Sequence, residues 1–142
     1  NPKYARAYLY RGNAFRKLGL IDKAVEDYET TLSINYSFAS AWHNLAFTYD
    51  KKGQVEEAIK YYTKAIEINP NMLASWYNIG YIHFEQGRYV KALYYIQKAH
   101  CIGHDHWYSE QYQYLKSLLR DRSAGSVDLF HSAPIPIPAS DA

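Results

Sequence analysis

The chain has one cysteine, Cys101, among 142 residues, so no disulfide can form within it. That fits a reducing compartment and points to the cytoplasm. It has no apolar run near the ~20 residues that a membrane-spanning helix needs, so membrane insertion is not expected. It has no excess of one charge: 16 Lys and Arg against 14 Asp and Glu leave a net +2, which gives no polyelectrolyte case for nucleic acid. No glycine is followed by Lys-Ser or Lys-Thr, which excludes a phosphate-cradling loop of the P-loop type. Aromatics are the opposite case: they make up 17% of the chain, with 16 tyrosines, more than one small core consumes. Tyrosine offers contact area at low entropy cost, so the surplus points to a binding surface.

Residues that could carry chemistry are few. His100, Cys101, His104 and His106 are zinc-type ligands, but their spacing matches no common zinc signature. Gly103 breaks the helix between them, so His100 and His104 do not share a face. Asp105 and Ser109 lie beside these histidines, but adjacency in sequence is not triad geometry, which is judged in space. Glu56 and Glu57 open a helix, where carboxylates favour the dipole. The expectation is no metal, no cofactor and no catalytic residue.

What dominates is a period of 34 residues. Gly19, Gly53 and Gly87 are in phase, as are Ala24, Ala58 and Ala92, and Tyr8, Trp42 and Trp76. A period of this size marks a solenoid of supersecondary units that cannot bury their apolar faces alone. Each unit has a helix-period stretch, a Gly break and a second stretch. In the middle unit helix A is predicted over Ala39–Lys52 and helix B over Glu56–Ile68, with Gly53 in the turn and Asn69-Pro70 as the stop. Gly12, Ala46 and Gly80 are the small residues where helices A approach helices B. Tyr8, Tyr28, Trp42, Tyr62 and Trp76 are assigned to the core.

The middle unit also carries Trp42, Leu45, Ala46, Tyr49, Ala58, Tyr62 and Pro70, in the order of the tetratricopeptide (TPR) pattern. The third unit follows with Trp76, Ile79, Gly80 and Ala92, departing at His83, Ile96 and His104. The first follows with Tyr8, Gly12, Phe15, Ala24 and Tyr28, with Arg11 where Leu is usual and Tyr36 where Pro is usual. Over roughly residues 1–122 the chain resembles the TPR family. That resemblance implies an all-α, right-handed solenoid of helix-turn-helix repeats: TPR 1 over 5–38, TPR 2 over 39–72 and TPR 3 over 73–106. Asn1-Pro2 is in phase with Asn69-Pro70, so residues 1–4 read as the end of a preceding repeat, and the chain as a piece of a longer one. Residues 107–122 read as a capping helix, with Leu115, Leu118 and Leu119 on its apolar side. Residues 123–142, with Pro134, Pro136 and Pro138, read as an extended tail. It is a linker or a recognition segment, and in the second case self-association through it is open.

The resemblance further implies that the A helices line a groove for an extended peptide or helix. On their spacing the groove residues are Arg6, Leu9, Tyr10, Asn13, Arg16 and Lys17; then Ser40, His43, Asn44, Phe47, Asp50 and Lys51; then Ala74, Tyr77, Asn78, Tyr81, Phe84 and Glu85. Asn44 and Asn78, one period apart, resemble the asparagine ladder of the O-GlcNAc transferase TPR arm, whose amides grip a peptide backbone. Asn13 and Asn44 also match two positions of the co-chaperone carboxylate clamp, but Leu9, Ala74 and Asn78 stand at its cationic positions. The groove is basic at Arg6, Arg16 and Lys17 and aromatic at Phe47, Tyr77, Tyr81 and Phe84. The expected ligand is therefore a protein segment with acidic residues at one end and apolar or Pro residues at the other. The expected function is a non-catalytic scaffold or adaptor. The alternatives are a substrate-recruiting arm of a larger enzyme and a self-associating spacer.

Overall fold

The structure, a computed structural model, describes residues 1–103 and 106–123. They form seven α-helices and, among the described residues, no strand: α1 (Pro2–Lys17), α2 (Ile21–Ile34), α3 (Ala39–Lys51), α4 (Val55–Ile68), α5 (Leu73–Glu85), α6 (Tyr89–Gly103) and α7 (His106–Ser123). Every described element is thus an α-helix, and successive helices pair as helix-turn-helix units. The predicted helices of the middle unit match α3 and α4 to within one residue. A helix also spans the expected stretch 107–122: α7 starts one residue earlier and ends one later. His104 and Asp105 lie outside the described residues, as does the tail from Ala124 onward.

One difference concerns the start. Residues 2–4, read above as the close of a preceding repeat, are the first turn of α1. Asn1 caps that helix, its Oδ1 accepting from the Lys3 amide at 3.1 Å, and Pro2 stands just inside it. Proline suits that position because its missing N–H would have no partner there anyway. The equivalent Asn69-Pro70 follows α4 instead, and Asn69 Oδ1 folds back onto the Asn71 amide at 3.1 Å.

Each A helix ends in the same way. After α1, the Leu20 amide donates to Phe15 O at 2.8 Å and the Gly19 amide to Arg16 O at 3.0 Å. Gln54 to Tyr49 and Arg88 to His83 repeat the long bond one and two periods later. The motif needs a left-handed residue, and Gly19, Gly53 and Gly87 supply it with φ of 78°, 80° and 72°. The 34-residue glycine phase is therefore a backbone requirement.

The chain divides into two compact units, Asn1–Ser75 and Trp76 onward. In unit 1, α1 packs on α2, α2 on α3 and α3 on α4. Its core holds Leu9, Ala24, Tyr28, Leu32, Ala41 and Leu45, with Phe15, Phe38, Trp42 and Tyr61 packed around them. Gly12 is where α1 and α2 meet: a Cβ there would stand 2.8 Å from the Tyr28 ring. In unit 2, Gly80 plays that part more tightly, since its Cβ would stand 2.6 Å from Ile96 Cγ1 and 3.2 Å from the Ala92 carbonyl. Leu115 and Leu118 of α7 are buried, and α7 packs on α6.

Tyr28 and Tyr62 are fully buried, as expected of core residues. The tryptophans sit further out. Trp42 is half-buried, donates Nε1–H to Tyr36 O at 2.8 Å and meets the Tyr36 and Tyr61 rings at 5.2 and 5.7 Å. Indole keeps a polar edge that needs a partner, so the fold holds it at the rim of the core. Trp76 is likewise half-buried, 5.8 Å from Tyr95.

Candidate functional site

In unit 1 the A helices α1 and α3 bring Asn13 and Asn44 together. Asn44 Nδ2 donates to Asn13 Oδ1 at 2.8 Å. The same oxygen accepts from the Tyr28 hydroxyl at 2.8 Å. Arg16 Nε in turn donates to that hydroxyl at 3.3 Å. Arginine can only donate, so the Tyr28 oxygen accepts from it and its proton points at Asn13. Burial pushes the Tyr28 hydroxyl above its ordinary pKa, against the opposing pull of Arg16, so it stays a protonated donor. The chain Arg16, Tyr28, Asn13, Asn44 is thus fixed in direction. It leaves the amide N–H groups of Asn13 and the carbonyl oxygen of Asn44 without a hydrogen bond to any described residue. Both side chains are half-buried, so these atoms are held by the fold yet reach solvent.

Phe47 lies one turn beyond Asn44 on α3. The Arg16 guanidinium is 4.9 Å from its ring centre and the Lys51 ammonium 5.1 Å. A ring face attracts cations, so Phe47 gathers two positive charges beside the amide pair. Arg6 and Lys17, also on α1, are exposed.

His43 behaves differently from the expectation. Its Nδ1 is 2.7 Å from Ser75 Oγ, its ring is 5.3 Å from Tyr62, and Ser75 is fully buried. Burial, helped by the nearby Arg16 charge, lowers its pKa to about 4. It is a neutral, inward-facing ring rather than a groove contact. Leu9 and Tyr77 occupy the same register position one period either side and are 5% and 1% exposed. That position therefore faces the packed interior in all three repeats, and the sequence-based stripe was one position too wide on that side. Tyr77, which stacks on Tyr81 at 6.4 Å, offers no side-chain surface.

In unit 2, Asn78, Tyr81 and Phe84 are half-buried, and Phe84 meets Tyr89 edge-on at 5.5 Å. Sequence reasoning missed the Tyr28 hydroxyl and Ser75, which hold Asn13 and His43 in place. A tyrosine at a core position of helix B was read for its ring alone, whereas a buried hydroxyl needs a partner. Arg11 is the other residue it left unexplained. Its Nε and Nη2 each donate to Asp27 at 2.7 Å, and Asp27 is 3% exposed. The pair stands where the other repeats carry Leu45 with Tyr61 and Ile79 with Tyr95.

Among the described residues no group of three His, Cys, Asp or Glu could hold a metal ion, and no helix is long and apolar enough to cross a membrane. Cys101 is exposed, and the His100 ring stacks on Tyr112 at 5.6 Å.

Three tetratricopeptide repeat family models match the chain, over residues 12–53, 39–72 and 61–94. A search of curated proteins returns no significant match. Among solved structures, the chain is similar to MamA at 28% identity and a TM-score of 0.65, over 67% of this chain. The chain spans 56% of the length of that MamA structure. It is also similar to the first TPR of Spaghetti (RPAP3), solved bound to the HSP90 peptide SRMEEVD. There the TM-score is 0.76 at 15% identity, covering 84% of this chain and 96% of the other, a likeness of fold alone.

Proposed function

We propose that this chain, which belongs to the tetratricopeptide repeat family, is a non-catalytic protein-interaction module that holds an extended, acidic segment of a partner on its A-helix face. The observation that carries this reading is the Asn13–Asn44 pair, with one amide donor and one carbonyl acceptor left open side by side. An extended backbone offers one carbonyl and one N–H per residue, so such a pair holds the main chain whatever its side chains. Arg16 and Lys51 lie over Phe47 beside it, and the neighbouring charge selects acidic side chains. In unit 2, Asn78, Tyr81 and Phe84 give an amide beside two aromatic rings, which suits apolar or Pro-containing sequence.

The module differs from a C-terminal carboxylate clamp. It keeps two asparagines, but Leu9 at a cationic position is buried and Ala74 and Asn78 carry no charge. A terminal carboxylate would lose its water without the cations that a clamp holds at those three positions. The ligand is therefore an internal segment.

Selection from a random linear peptide library tests this. Acidic sequences should be enriched on the full chain and lost on an Asn13→Ala/Asn44→Ala variant whose melting confirms that it folds. Enrichment of the same sequences on both proteins would place binding elsewhere.

A further inference from the structure

In unit 2 one helix face departs from its sisters. Val90, Tyr94 and Cys101 stand at i, i+4 and i+11 on α6, which puts them on one side of the helix. One and two periods earlier, the same positions hold Glu56, Lys60 and Glu67 on α4 and Asp22, Glu26 and Ser33 on α2. Five of those six carry a charge, whereas the α6 stripe carries none. All six are exposed, although α2 has both α1 and α3 packed against it. The face therefore looks to solvent by its register and not for want of a neighbour. On α6 the result holds with α7 packed alongside: Val90 is 75% exposed, Tyr94 52%, and Cys101 is exposed. Apolar residues gathered on such a face mark an interaction surface.

Tyr94 is braced. Its ring stands edge-on to Tyr95 at 5.2 Å and to Trp76 at 6.5 Å, and both of those are half-buried. An exposed ring held this way offers contact area at little entropy cost. The Lys98 ammonium lies 5.7 Å from its centre. The stripe runs about three turns, roughly 16 Å, along a straight axis, a length that a second helix lying alongside covers. Charge says what kind of helix fits. Residues 86–103 carry Arg88, Lys91 and Lys98, all exposed, and no acid. The sister helix α4 carries Glu56, Glu57 and Glu67. A helix with acids beside its apolar stripe complements the α6 lysines. The α6 helix of a second copy would oppose Lys91 and Lys98 to their equals, which like-charge repulsion disfavours.

We propose that the Val90–Tyr94–Cys101 stripe is a docking surface for an acidic amphipathic helix of a partner protein, independent of the Asn13–Asn44 site. The test is selection against the full chain from a display library of single helices randomised on one face. Helices with an apolar stripe edged by Asp or Glu should be enriched. Val90→Glu/Tyr94→Lys gives α6 the residues that α4 carries at these positions. Both positions are exposed, so this variant should melt like the parent. It should bind the selected helices about tenfold or more weakly, as when a central aromatic contact is lost. Lys91→Glu/Lys98→Glu should weaken them too, and Asn13→Ala/Asn44→Ala should leave them bound. No enrichment, or enrichment without acidic bias, would overturn the proposal. So would binding that Val90→Glu/Tyr94→Lys leaves unchanged, or binding that the asparagine variant removes. Phosphatidylserine vesicles that sediment the parent but not the Val90→Glu/Tyr94→Lys variant would overturn it in favour of a membrane surface. A dimer seen by light scattering in the parent and absent from that variant would overturn it in favour of a second copy.

Discussion

His43 gives a pH dependence that follows from its position. The ring is neutral in the fold, with a pKa of about 4, because burial and the Arg16 charge disfavour the imidazolium. In the unfolded chain its pKa is near the ordinary ~6.5. At pH 7 both states are neutral and the stability is fully present. Below pH 6.5 the unfolded chain takes up a proton that the folded chain refuses, so stability falls as pH falls. It levels off only below pH 4. The lost free energy at pH 5 is about 2 kcal/mol, and the full loss roughly 3 kcal/mol, from linkage between the two pKa values. Urea titrations at pH 7 and pH 5, read by circular dichroism, measure it. With a urea slope of about 2 kcal/mol/M, the midpoint should drop by ~1 M beyond whatever other groups contribute. His43→Asn isolates the term, since it keeps a polar atom near Nδ1 for Ser75 but does not titrate. The variant should show the shallower pH dependence by about that amount. Parallel pH curves for the two proteins would refute the buried neutral ring.

Two further outcomes test packing and the network. Gly80→Ala should cost ~1–3 kcal/mol by overpacking, since its Cβ meets Ile96 and the backbone of Ala92, which cannot yield as a side-chain tip does; thermal melting checks this. Tyr28→Phe removes the hydroxyl that orients Asn13, so ~1 kcal/mol of stability and a larger share of peptide affinity should be lost; calorimetry with a library-selected acidic peptide separates the two effects.

The fold was legible because its constraints repeat. A left-handed turn at Gly19, Gly53 and Gly87 and a close helix approach at Gly12 and Gly80 leave marks that a 34-residue phase exposes. Part of the expected groove set also shares one neighbourhood. Asn13, Asn44, Phe47, Arg16 and Lys51 do come together in unit 1. What helical spacing could not show is which edge of the stripe turns inward, because a stripe drawn every three and four residues includes both edges. Leu9, an apolar residue at that register position, was the available hint that His43 and Tyr77 face the interior. The Arg11–Asp27 pair was hidden for another reason. Its partners are 16 residues apart on different helices, and only the packing of α1 on α2 joins them.

The most direct test of the peptide-binding reading is a pull-down from cell lysate that compares the parent chain with a folded Asn13→Ala/Asn44→Ala variant, read by mass spectrometry. Partners retained by the parent and lost from the variant, with acidic extended segments among them, are the expected result. Identical partner lists for the two proteins would contradict it.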